Sequence, residues 1–284
     1  MTILKKKYEK TNYTDVAKDL DDFLEKFYKK KKISKKISKK SIENLNILKY
    51  FQYVRMARNL CKGTLNRDCI QQQNIEYHPY YFIEKNEDEL IIVFRGTSNY
   101  NDVFLDYKHY QQMVNNIVQT HITIVSKILF YYGLINHIQE YDGKKVTIVG
   151  FSLGAVLGSY LLLILKLLNK DMYNISNLHL KLYAFACPVC IPECLQKYIN
   201  KYIIAVVNEK DPIVCFRSNQ SMLFTVGGNH IYNFVKNPKT KKVECFQQNY
   251  KYFVHRGIFY KPYQLSSHRT SSYETQLKKF FKEQ

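Results

Sequence analysis

The ten residues Val146-Thr147-Ile148-Val149-Gly150-Phe151-Ser152-Leu153-Gly154-Ala155 constrain the fold more than any other part of the chain. A short apolar run, of the kind buried as a strand, passes through Gly-x-Ser-x-Gly into a second apolar run over residues 155–168, long enough for a helix. A strand that turns at once into a helix forces its corner residue into a strained backbone conformation. Glycines two places to either side remove the Cβ atoms that would collide there. The Ser152 hydroxyl is then held out at the sheet edge, beside a helix N-terminus that favours negative charge. A tight turn carrying an incidental serine is the plainer reading, and the strand and helix patterns on either side argue against it.

A serine hydroxyl is a poor nucleophile at neutral pH and needs a base that is itself oriented by an acid. In a strand–serine–helix architecture the chain order is serine, acid, histidine. Two aspartates follow Ser152, Asp171 and Asp211. Asp171 ends the helix that Ser152 begins, roughly 25 Å away at the helical rise. Asp211 lies in Asn208-Glu209-Lys210-Asp211-Pro212, just after an apolar strand over residues 202–207. A loop that follows a parallel strand opens on the same edge as the serine, so Asp211 is the expected acid, with Glu209 in reserve. Three histidines come later. His230 follows Gly227-Gly228, His255 sits beside Arg256 after an aromatic strand, and His268 stands at the start of a terminal helix. Position alone favours His268 and leaves the other two open.

The rest of the chain alternates strand-like and helix-like segments. A helix from Ser41 turns Ile42, Leu45, Leu48, Phe51 and Val54 inward. Residues 80–83 and 90–94 read as a hairpin around the acidic turn 84–89, and a long amphipathic helix covers 112–137. With further strands over 178–186 and 202–207, the expected fold is α/β: a mostly parallel central sheet flanked by helices. Neither a repeat nor a Pro/Gly-rich linker divides residues 41–284, which read as one domain. Residues 1–40 stand apart as a basic helical extension. Thr14 caps a helix with Val16, Leu20, Phe23, Leu24 and Phe27 on one face, and residues 29–40 then hold eight lysines. That composition suits peripheral contact with an anionic membrane. A docked helix with a solvated linker is the plainer reading.

Charge narrows function less than it first promises. The 284 residues carry a formal net charge of +19, but only seven of the 43 basic residues are arginine. Nucleic-acid readers favour arginine for bidentate contacts, so the charge does not point to nucleic acid as a partner. The 46% hydrophobic content excludes global disorder. No apolar run reaches the roughly 20 residues of a membrane span, and the opening MTILKKKYEK lacks a signal-peptide core. The expected location is therefore intracellular, cytoplasmic or peripheral to a membrane. Seven cysteines without a signal peptide read as reduced thiols. Cys187, Cys190 and Cys194 are closely spaced, but no second ligand pair follows and Pro188 and Pro192 interrupt them; no metal or cofactor is expected.

Four blocks, in order, resemble the class 3 (fungal-type) lipases of the α/β-hydrolase superfamily. Residues 91–98, Ile-Ile-Val-Phe-Arg-Gly-Thr-Ser, with Asp102 and Asp106 after them, are similar to that family's FRGTS…D block. The serine turn resembles its GHSLGG, Phe185-Ala186-Cys187-Pro188 its FGxP strand end, and residues 207–214 its VNxxDPVP acid loop. The similarity covers roughly residues 41–280. It implies Ser152 as nucleophile, Asp211 as acid and His268 as base, since the family places its histidine before a terminal amphipathic helix. It further implies an oxyanion hole from Thr97 and the Leu153 N–H, a structural Arg95, and a lid over residues 98–111. The chain departs from the family at Phe151 for His, Ala155 for Gly, Val103 for Trp and Ala186 for Gly.

The resemblance implies a lipid carboxylic-ester hydrolase, an acylglycerol lipase or an A1-type phospholipase, whose lipid substrate is cleaved through an acyl-enzyme. An inactive lipase-fold protein that binds lipid or a partner is the alternative. A basic nucleic-acid-binding protein is a more remote one.

Overall fold

A computed structural model describes residues 34–61, 75–77, 81–96, 114–168, 173–175, 177–188, 190–208, 211–215, 224–225, 231–236, 240, 242–248, 266 and 268–282. The chain divides into two units at Lys35/Lys36, and the fold below is that of the unit Lys36–Gln284. The sequence division at 40/41 rests on the amphipathic pattern and the lysine run that follows it. Lys36 and Lys39, from the lysine run, are engaged in the larger unit: Lys36 pairs with Glu244 at 2.6 Å, and the Lys39 ammonium donates to the Phe281 carbonyl. The helix expected from Thr14 lies outside the described residues.

Strand order in the main sheet is β1-β11-β10-β8-β6-β5-β4-β3-β2. Its centre is five parallel strands: β4 (Glu89–Phe94), β5 (Lys145–Phe151), β6 (His179–Phe185), β8 (Ile203–Asn208) and β10 (Ile231–Lys236). On one side β3 (Tyr81–Lys85) and β2 (Ile75–Tyr77) run antiparallel; on the other, β11 (Val243–Gln248) pairs antiparallel with β10, and β1 is Ser34–Lys36. The β3–β4 hairpin matches the expected one. A separate ribbon pairs β7 (Ile191–Pro192) with β9 (Phe224–Thr225).

The central strands are apolar runs rather than alternating ones because both faces of the sheet are covered. All six residues of β4 and of β8 are buried. One face carries the helix α2 (Ile47–Cys61), whose Tyr50 stacks on Tyr183 at 4.0 Å and whose Phe51 meets Phe185 edge-on. The terminal helix α8 (Thr270–Lys282) packs on this side too, with Phe280 against Phe234. The other face carries α5 (Leu153–Leu167), lined by α3 (Val114–Ser126). Helix α5 is apolar almost all round, as a helix wedged between sheet and helix must be.

Two long helices expected from periodicity are each broken. The first divides into α1 (Lys39–Glu43), capped by the Ser38 side chain, and α2, with Asn46 between them at φ 54°. Asparagine tolerates that left-handed conformation better than most residues. The second becomes α3, a π-helical turn over Lys127–Tyr131, and α4 (Leu134–Gln139), separated by Gly133 at φ 76°. The remaining short helices are α6 (Glu193–Ile199) and α7 (Pro212–Cys215). No helix among the described residues is long and apolar enough to cross a membrane.

Candidate active site

Ser152 occupies the corner between β5 and α5 with φ 55° and ψ −122°, the strained conformation expected of a strand that turns directly into a helix. The two glycines make the corner possible. A Cβ at Gly150 would run into the Gly154 carbonyl and the Ala155 nitrogen, and one at Gly154 would lie 2.5 Å from the Phe94 carbonyl oxygen. The Ser152 N–H donates to the Phe185 carbonyl at 3.0 Å, which ties the corner to the end of β6.

Asp211 follows β8 and His268 precedes α8, so three separate parts of the chain converge at the C-terminal edge of the parallel strands. His268 Nε2 lies 2.8 Å from Ser152 Oγ, and its Nδ1 lies 2.9 and 2.8 Å from the two Asp211 oxygens. A carboxylate only accepts hydrogen bonds, so Nδ1 carries the proton and Nε2 is left to accept from the serine hydroxyl. All three side chains are buried, Asp211 completely.

Asp211 is satisfied on both oxygens. Oδ1 accepts from the backbone N–H groups of Ile213 and Val214 at 2.9 and 3.4 Å, and Oδ2 accepts from the Tyr273 hydroxyl at 2.7 Å. Tyr273 in turn accepts from the Asn208 N–H at 3.1 Å, while Gln276 donates to the Asn208 side-chain oxygen at 3.0 Å. One face of α8 thereby clamps the end of β8 and the acid that follows it. Phe151, the residue that stands where the family has histidine, packs its ring 5.4 Å from those of His268 and Tyr273.

The structure brings together Ser152, Asp211 and His268, three residues singled out from sequence, and adds Tyr273, which sequence reasoning did not name as a partner of Asp211. The available signal was weak: a tyrosine five residues after the candidate base, on the apolar face of the terminal helix. Leu153 begins α5, so its N–H belongs to the first turn, where amides lack intrahelical partners. Thr97, the expected lid over 98–111, His230, His255, Glu209 and Asp171 lie outside the described residues. Cys187 and Cys190 are buried with Sγ atoms 3.8 Å apart, and the described residues hold no cluster of three or more metal-binding side chains.

A mostly parallel sheet that carries a serine on a sharp strand-to-helix turn, flanked by helices, is the α/β-hydrolase fold. Residues 91–220, slightly less than half of the chain, match the family model described as Lipase (class 3). Among solved structures the fold is similar to a lipase from Rhizopus microsporus var. chinensis, with TM-score 0.51 and 15% identity over 83% of this chain and 88% of that one. It is also similar to the propeptide complex of Rhizomucor miehei lipase, with TM-score 0.50 and 14% identity over 83% and 81%. A fungal lipase–inhibitor complex gives TM-score 0.53 and 16% identity over 76% and 87%. No curated protein matches the sequence significantly. Over residues 91–220 the chain is thus similar to the class 3 lipases, and its fold is similar to that of fungal lipases.

Proposed function

We propose that the chain hydrolyses carboxylic esters of lipids through an acyl-enzyme on Ser152. The observation that carries this reading is the unbroken line of hydrogen bonds from Ser152 through His268 to Asp211, with His268 Nε2 2.8 Å from the serine oxygen. His268 takes the serine proton as Oγ attacks the ester carbonyl. Asp211 holds the imidazole in the required tautomer and stabilises the imidazolium that forms. The same proton goes to the departing alcohol, and a water activated by His268 then releases the fatty acid.

Negative charge develops on the carbonyl oxygen during both halves of the reaction. The Leu153 N–H at the start of α5 and Thr97 are the proposed donors to it, each worth roughly 3–4 kcal/mol of transition-state stabilisation. No step calls for a cofactor or a metal. Acylglycerols and glycerophospholipids are the two substrate classes, and the lysine-rich residues 1–40 are the proposed contact with anionic membranes.

A fluorophosphonate probe tests the reading directly. Covalent labelling of the wild type and its loss in Ser152→Ala are the expected results, together with release of fatty acid from a mixed lipid panel identified by mass. A folded wild type that takes no label where a control lipase does would establish the inactive alternative.

A further inference from the structure

The loop that leaves β6 carries a pair of thiols for which the proposed reaction has no use. Cys187 and Cys190 are separated only by Pro188 and Val189, and both side chains are completely buried. Their sulfurs lie 3.8 Å apart, and the Cys187 thiol also donates to the Pro188 carbonyl at 3.4 Å. A disulfide needs a separation of about 2.05 Å, so closure requires a movement of less than ~2 Å across a two-residue spacer.

The two ends of this short loop are fastened to the two elements that meet at Ser152. On the Cys187 side, the Phe185 carbonyl accepts the Ser152 N–H at 3.0 Å. Ala186 between them has a left-handed φ of 51°, and its N–H donates to the Val206 carbonyl at 3.0 Å. On the other side, the Cys190 carbonyl accepts the Tyr160 hydroxyl at 2.8 Å, and Tyr160 lies two turns along α5, the helix that Ser152 starts. Drawing the two cysteines together therefore pulls at once on the strand end and on the helix that meet at Ser152.

We propose that Cys187 and Cys190 form a modification site, a dithiol that a small peroxide converts into an intramolecular disulfide, and that this bond disturbs the Ser152 corner. The thiolate of one cysteine attacks the O–O bond of hydrogen peroxide, giving a sulfenic acid and hydroxide, which leaves as water. The second sulfur attacks the sulfenic sulfur, the S–S bond forms and the S–OH oxygen departs as a second water. Two electrons pass from the two sulfurs to the peroxide, and a thiol reductant reverses the change. Burial pushes the Cys190 thiol well above its ordinary value, which makes the reaction slow and favours a small uncharged oxidant over a bulky disulfide.

Formation of the bond is independent of the functional reading; its effect on hydrolysis rests on that reading. The test treats the full chain with hydrogen peroxide, denatures it, blocks remaining thiols with N-ethylmaleimide and maps the digest by mass. The expected peptide spanning residues 187–190 is two hydrogens lighter than its reduced form and takes up no blocking group. Hydrolysis of a soluble ester falls several-fold in parallel, and dithiothreitol restores both. Cys190→Ser retains basal hydrolysis and loses the reversible response. Full blocking of both cysteines after peroxide, or a bridge to any other cysteine, overturns the site. A bridge between the two that leaves hydrolysis unchanged overturns the coupling. Where untreated protein takes no fluorophosphonate, the Ser152 reading has failed, and the mass result alone then decides the dithiol. That measurement on the wild type stands even where the serine variant does not fold.

Discussion

Two buried carboxylates sit at opposite ends of the parallel sheet, and they are held in opposite ways. Asp211, beyond the C-terminal end of β8, receives two backbone N–H groups, a phenol and the His268 imidazole. Glu89, at the N-terminal end of β4, is gripped by charge: Lys145 at 2.7 Å and Lys49 at 3.4 Å, with Tyr50 and Thr147 hydroxyls both at 2.6 Å. Neutral donors around Asp211 leave its charge available to the one partner that can become cationic, His268. Lysines around Glu89 neutralise it outright. The first arrangement suits a carboxylate that has work to do; the second suits one that joins α2 to the sheet.

The comparison predicts that exchanging each acid for its amide separates activity from stability. The largest effect belongs to Asp211→Asn. An amide there can donate to Nδ1 and favour the wrong tautomer, so kcat for ester hydrolysis should fall by about 10³–10⁴. Binding of substrate should change little, because Asp211 is completely buried behind the imidazole. Steady-state kinetics on a soluble ester check this, and a loss under tenfold would remove Asp211 from the proposed mechanism. Glu89→Gln should do the reverse, leaving kcat within about threefold while lowering unfolding stability by about 1–2 kcal/mol in urea. The larger loss expected of a fully buried pair is reduced here because Lys145 and Lys49 remain about half exposed and regain water when released.

Acid sharpens the same contrast. Burial raises the Glu89 carboxyl, but the hydrogen bonds from Lys145, Thr147 and Tyr50 outweigh it and hold the group down to about 2, against an ordinary 4.5. A carboxylate lowered by folding adds stability above its unfolded value and loses it as pH falls towards its folded one. The stability gap between wild type and Glu89→Gln should therefore be full at pH 6 and shrink steadily between about pH 4.5 and pH 2. Thermal unfolding across that range measures it. A gap that stays constant down to pH 2 would mean that Glu89 contributes shape rather than charge.

How far the sequence foretold these two ends follows from the range of the interactions involved. The serine corner was legible because its cause is local: a strand, a helix and two glycines within five residues. The central strands were legible because burial on both faces leaves uninterrupted apolar runs, as in Ile203–Asn208. Strands β10 and β11 escaped notice because residues such as Asn233, Lys236 and Glu244 break the apolar pattern. The breaks at Asn46 and Gly133 were missed because inward-facing apolar residues continue on both sides of each. The Glu89 cluster joins residues 49, 50, 89, 145 and 147, and no spacing rule links them; only the stacking of α2 on β4 and β5 does.

At the site itself the smaller predicted effect probes the neutral donor that reaches Asp211 from the terminal helix. Tyr273→Phe keeps the ring that packs on Phe151 and removes the hydroxyl that donates to Asp211 Oδ2 and accepts from the Asn208 N–H. A hydrogen bond to a carboxylate is worth about 1.5–3 kcal/mol, so stability should drop by that order and kcat by roughly three- to tenfold. The hydroxyl also fixes the plane of the carboxylate that orients His268, so the kinetic loss should fall on kcat and leave KM for a soluble ester unchanged. A loss of stability with kcat unchanged would assign Tyr273 to the clamp between α8 and β8 and leave Asp211 to act on His268 without it.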